Sequence, residues 1–146
     1  MFKTDLALVA LTPDLWYLAS DLVWVSNGLT ITAPHGFVTD LASIPRALRN
    51  LPLTDVDGIS RRPAALHDWL YAGHRSTGKN FADATLREAL KVEGMSAAGA
   101  AVYYYAVHWF GGHAWESDGR KLEQLDFHKP ADYQAWKATG PVVNPT

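Results

Sequence analysis

The dipeptide Asn27-Gly28 constrains this chain more than any other feature. It follows Trp16 to Val25, which is rich in aromatic and β-branched residues, and precedes Leu29-Thr30-Ile31-Thr32, where apolar and polar residues alternate. A two-residue hairpin turn needs positive φ at its centre, which Asn and Gly supply at least cost. Leu6 to Leu11 is a further short apolar run, closed by Thr12-Pro13-Asp14. The first third is therefore expected to form a small antiparallel β-sheet.

Beyond Pro34-His35-Gly36 the pattern changes. Pro45 restricts Ile44, so a helix there starts near Pro45 and is short, and Leu51 to Gly58 reads as a loop. A helix is expected to open around Ser60 to Pro63 and to run to Tyr71, with Gly73 ending it. A second opens on Asn80 as N-cap, carries Leu86 and Leu90 four apart, and stops at Gly94. Ser96 can cap a third helix through Phe110, closed by Gly111-Gly112. The expectation is one α+β domain over 1–146: mainly β in 1–45, mainly α in 60–112, and a wrapping tail in 113–146. In that tail Asp132 to Ala138 is read as a turn of helix among isolated aromatics at Phe127, Tyr133 and Trp136.

Composition narrows the function classes. At 48% hydrophobic, the 146 residues carry enough apolar material for one core, which excludes disorder as the dominant state. Lys and Arg number 13 against 15 acids, with no basic run, so a nucleic-acid partner engaged through phosphate neutralisation is not expected. The absence of cysteine excludes disulfides, thiolate zinc sites and a Cys nucleophile. The longest weakly polar run, Ala97 to Gly112, falls short of the roughly 20 residues a transmembrane helix needs. The patch Leu6 to Leu11 is too short for a signal peptide.

The remaining peculiarity is an excess of Asp, 11 of the 15 acids, beside six histidines. Much of it reads as turn punctuation, as at Asp14, Asp55, Asp57 and Asp118. His67-Asp68-Trp69-Leu70-Tyr71 with Asp83 is different. On a helix, His67 and Tyr71 share a face one turn apart, and Asp83 shares the row of Leu86 and Leu90. Two antiparallel helices joined by about eight residues would bring positions 67 and 83 together. A neutral His held by a carboxylate can act as general base, and Asp68 could ligate a hard cation. Plainer accounts stay open: Asp83 as a dipole-stabilising residue in the first turn, His67 as a hydrogen-bonded core residue, Tyr71 as packing. Thr39, Asp40 and Ser43 could add oxygen ligands or a hydroxyl, with Arg46 as an anion partner; alternatively Asp40 makes an Asx-turn and Ser43 caps a short helix. His108, four residues after Tyr104, reads as structural. No HExxH, GxSxG or phosphate-cradling glycine loop occurs. The aromatic run Tyr103-Tyr104-Tyr105 with Trp109 and Phe110 suits a buried helix or an interface.

Pro34-His35-Gly36-Phe37-Val38-Thr39-Asp40-Leu41-Ala42-Ser43-Ile44-Pro45-Arg46, then Leu66-His67-Asp68-Trp69-Leu70-Tyr71, then Ala82-Asp83 resembles a small family of uncharacterised bacteriophage and prophage proteins. That resemblance covers roughly Trp16 to Trp115 and implies a phage or prophage origin with no established activity. His67-Asp68 with Tyr71 and Asp83 is also similar to the HDxxY motif and downstream Asp of the secretory phospholipases. That similarity implies His67 as base, Asp68 as calcium ligand and Asp83 as orienter. The chain departs from it in having no cysteine and no glycine-rich calcium loop before the helix.

Two functions are therefore expected. The first is a phage-encoded hydrolase of the host envelope, acting on lipid ester or peptidoglycan. It would use His67, Asp83 and Tyr71, with a divalent metal (calcium or zinc) at Asp68 and Asp40, and substrate contacts at Ser43 and Arg46. The second is a non-catalytic virion component of the tail or baseplate. Partners would be other virion proteins or the host envelope, and the location the virion, or the host cytoplasm before assembly.

Overall fold

The computed structural model describes residues 1–13, 15–41, 58–72, 78–116 and 142–145. Five strands come first: β1 (Leu8–Thr12), β2 (Leu15–Leu18), β3 (Leu22–Ser26), β4 (Leu29–Ala33) and β5 (Val38–Thr39). Helices α1 (Arg61–Ala72), α2 (Lys79–Val92) and α3 (Ala97–Phe110) follow, and a last strand, β6, covers Val142–Pro145. The fold is α+β, as the change of pattern along the sequence implies.

Asn27 and Gly28 adopt φ of 50° and 75°, so the tight turn joins β3 to β4 with Ser26 opposite Leu29. The strands do not form one sheet. They divide into two three-stranded antiparallel sheets, ordered β1-β2-β5 and β3-β4-β6. The apolar run from Trp16 to Val25 is the reason: a bend at Ala19-Ser20 splits it into strands that pair with different neighbours. Burial alternates along β3, where Leu22 and Trp24 turn inward, as a strand with one face on a core requires.

The helices stack outward from the strands. Helix α1 touches β3, β4 and β5 and packs on α2, which in turn packs on α3. Sandwiched in this way, α1 buries eight of its twelve residues, and an apolar surface nearly all round is what such a position demands. Trp69 meets Phe37 edge-to-face at 5.2 Å, an aromatic pair that contributes about 1 kcal/mol beyond its burial. Helix α2 serves two cores: Ala82 and Ala89 join the cluster around α1, while Leu86 and Leu90 pack with Met95, Ala100, Tyr103 and Val107 of the α3 side.

Ser96 caps α3 as expected, its hydroxyl accepting from Gly99 N at 3.1 Å. Helix α2 starts earlier than expected: Gly78 occupies the N-cap with no side-chain cap, and Asn80 is already helical. Asp83 consequently lies in the fifth helical position rather than at the dipole's exposed end. Glu93 and Gly94, the latter at φ 102°, terminate α2. The short helix expected near Pro45 and the turn expected over Asp132 to Ala138 lie outside the described residues. Among the described residues, no helix is long and apolar enough to cross a membrane.

Candidate functional site

The helical spacing of His67 and Tyr71 on α1 places both side chains against α2. There they converge on one carboxylate oxygen. Asp83 Oδ1 accepts from Tyr71 OH at 2.7 Å and lies 3.2 Å from His67 Nε2. The rings of His67 and Tyr71 sit 4.0 Å apart, and Trp115 closes on Tyr71 edge-to-face at 5.0 Å. His67 is 2% exposed and Asp83 0%.

The second oxygen of Asp83 has its own partner. Lys79, one turn earlier on α2, donates from Nζ to Oδ2 at 2.7 Å, and also to the carbonyls of Val107 at 2.8 Å and His108 at 3.1 Å. Three ammonium hydrogens thus meet three oxygens. Two of those are carbonyls from the last turn of α3, where a cation is favourable, and Val107 O accepts from Gly111 N as well, at 2.8 Å. His108 Nδ1 stands 3.4 Å from the same Oδ2.

This arrangement sets the protonation states. Burial alone pushes the Asp83 carboxyl up, but donors from His67, Lys79 and Tyr71 outweigh it and hold the pKa at about 2, below the ordinary 3.8. Asp83 is therefore ionised. Burial likewise pushes the pKa of His67 below its ordinary 6.5, with Asp83 only partly opposing that shift, so the ring is neutral. A carboxylate can only accept, which assigns the single ring proton to Nε2. Nδ1 is left as a lone-pair acceptor, and it is buried without a hydrogen-bond partner. Such an atom in a core costs roughly 1–3 kcal/mol relative to a satisfied one.

Asp68, next to His67 on the helix, points elsewhere. Its Oδ2 accepts from Thr39 Oγ1 at 2.5 Å, and the same hydroxyl accepts from Leu41 N at 3.0 Å. Leu41 takes φ of 53°, a left-handed backbone that a side-chain-bearing residue adopts only at a cost of about 1–2 kcal/mol. Asp40, between them, is exposed. Among the described residues, no group of three His, Cys, Asp or Glu side chains assembles that could hold a metal ion. Asp68 and Asp40 alone do not make up the coordination sphere of a calcium ion, which takes about six to eight oxygens. Ser43 and Arg46 lie outside the described residues.

Of the expected site residues, the structure thus joins His67, Tyr71 and Asp83 and links Asp68 to Thr39. Two members of the cluster were not singled out as site residues from sequence. Lys79 carried a signal, since it precedes Asp83 by four residues on one helix. His108 is brought in by packing of α3 on α2, which no local spacing reveals.

Fold and cluster together define a small α+β protein built around a buried histidine–aspartate pair with a lysine counter-charge. The chain belongs to the DUF1353 family, described as protein of unknown function, which matches residues 16–107. No curated protein and no solved structure matches the chain.

Proposed function

We propose that the protein is a hydrolase in which His67 activates water and Asp83 orients and charge-stabilises His67. The observation that carries this reading is the unpartnered Nδ1 of His67, held as a free lone pair by the bond from Nε2 to an ionised Asp83. A histidine used only for packing would gain by satisfying both nitrogens; a general base needs one of them unspent. In the reaction, Nδ1 takes a proton from water as the water oxygen attacks the carbonyl carbon. The imidazolium, stabilised by Asp83, then returns the proton to the departing oxygen or nitrogen. Tyr71 holds Asp83 and does not touch the reacting atoms.

The substrate in this reading is the ester of a host lipid, supported by the similarity of His67-Asp68, Tyr71 and Asp83 to the secretory phospholipases, or peptidoglycan, the envelope polymer a phage-encoded hydrolase would meet. A divalent metal at Asp68 and Asp40 belongs to the same reading and would need further oxygen ligands from water or substrate, with Ser43 and Arg46 expected at the substrate. The virion, or the host cytoplasm before assembly, is its location. His67 is 2% exposed, so substrate reaches Nδ1 only if the side chains packed over the ring move; a ring that stays sealed is a core histidine.

The test uses the purified protein, with bound metal measured and phospholipid and peptidoglycan hydrolysis assayed for wild type and His67→Ala. Hydrolysis should occur and fall by about 100-fold or more in the variant, the usual scale of a general base. Absence of hydrolysis on both substrates, or equal rates for the two proteins, overturns the reading.

A second reading rests on a different face. Tyr105, Trp109 and Phe110 on α3 are 47%, 69% and 73% exposed, with Tyr105 and Trp109 stacked at 5.1 Å. Exposed aromatics grouped in this way favour a binding surface, as a non-catalytic tail or baseplate component would need.

A further inference from the structure

We infer that Lys79 is a positioning residue for the histidine–aspartate pair: by locking Asp83 Oδ2 to the end of α3, it reserves Oδ1 for His67 and so decides which nitrogen of His67 stays free. This rests on the hydrolase reading for its purpose, though not for its measurement.

The geometry divides the carboxylate cleanly. Oδ1 serves α1, through Tyr71 and His67, whereas Oδ2 serves Lys79. A half-turn of the carboxylate changes nothing, because its oxygens are equivalent, but a partial rotation would carry it off His67 and Tyr71, and the ammonium opposes that because its other two hydrogens are committed to Val107 O and His108 O. Lys79 is therefore anchored independently of the carboxylate it holds. The ammonium also lies 5.9 Å from the Tyr71 ring centroid. Without it, the nearest remaining donor to Oδ2 is His108 Nδ1 at 3.4 Å, which belongs to a ring stacked on Tyr104 and 35% exposed. A carboxylate drawn toward His108 would withdraw from His67 Nε2, and His67 could then place its proton on either nitrogen. The last turn of α3 thus governs a ring on α1 that it does not hydrogen-bond.

A capping role alone makes a different prediction. If Lys79 only satisfied the carbonyls of α3, its loss would lower stability and leave the His67 ring unchanged. The decisive readout is the tautomer of His67, read from ring nitrogen shifts in labelled protein at neutral pH, which needs no substrate. Wild type should show a single tautomer with the proton on Nε2. Lys79→Gln should lose that single state, giving a mixture, and Lys79→Arg, which keeps charge and reach, should restore it. An unchanged His67 tautomer in folded Lys79→Gln overturns the proposal, as does a wild-type proton on Nδ1. Should neither variant fold, the unmodified protein still decides: the Lys79 ammonium should give a sharp, slowly exchanging signal, and a rapidly exchanging ammonium overturns the proposal. Lack of hydrolysis by wild type, by contrast, removes the hydrolase reading while the tautomer result still judges Lys79.

Discussion

Tyr71 and His67 address the same oxygen of Asp83, at 2.7 and 3.2 Å, from positions one turn apart on α1. Sharing one acceptor is economical in space and makes each donor's loss felt by the other. Tyr71→Phe removes the shorter bond without changing the ring's packing. A hydrogen bond to a charged acceptor contributes about 1.5–3 kcal/mol, so denaturant unfolding should show a loss in that range. A change below about 0.5 kcal/mol would show that Asp83 does not depend on Tyr71.

Gly111 follows α3, and a Cβ added there would stand 2.2 Å from Val107 O and 2.8 Å from Tyr71 OH. The backbone carbonyl cannot step aside, and displacing the hydroxyl weakens its bond to Asp83. Gly111→Ala should therefore destabilise by about 1–3 kcal/mol, the usual cost of overpacking, whereas Gly112→Ala meets nothing within 4 Å and should cost less. Melting temperatures of the two variants, measured side by side, check this contrast.

Acid should unfold the protein in two stages from this one cluster. Both groups have folded-state pKa values below their unfolded ones. Each therefore contributes stability above its unfolded pKa that is lost as pH falls. For His67 the loss begins below 6.5, because protonation is easier in the unfolded chain. For Asp83 it begins below 3.8 and continues to about 2, and amounts to about 2 kcal/mol. Unfolding free energy measured across this range should decline with acid, and Asp83→Asn should abolish the lower stage.

Trp109 and Phe110 contribute little to the fold if their exposure of 69% and 73% is what matters. Trp109→Ser with Phe110→Ser should shift stability by no more than about 0.5 kcal/mol per site. A larger loss in thermal unfolding would show that these rings are part of the core and weaken the binding-surface reading.

The β3–β4 hairpin was fully legible, because the turn's positive φ values are written in Asn27-Gly28 itself. The pairing of His67 with Asp83 and Tyr71 was legible too, since helical spacing determines faces and a short connection makes neighbours antiparallel. The division into two sheets was not, because β2 finds β5 and β4 finds β6 across long stretches that carry no local mark. The start of α2 departs from its local pattern for a related reason. Asn80 is a good cap by residue type, but Lys79 is held inside the helix by carbonyls of α3, a tertiary force that overrides local preference. The Thr39–Asp68 bond likewise joins a strand to a helix, and no periodicity announces it.

The pairing of Leu29 with Pro145 and of Thr32 with Val142 carries a consequence for synthesis. The hairpin can close as soon as it leaves the ribosome, and its third strand arrives only after all three helices have been made. Until then β4 presents an open hydrogen-bonding edge to its surroundings, an invitation to pair with another chain. A chain halted before residue 142 should therefore pair with other chains more readily than the finished one.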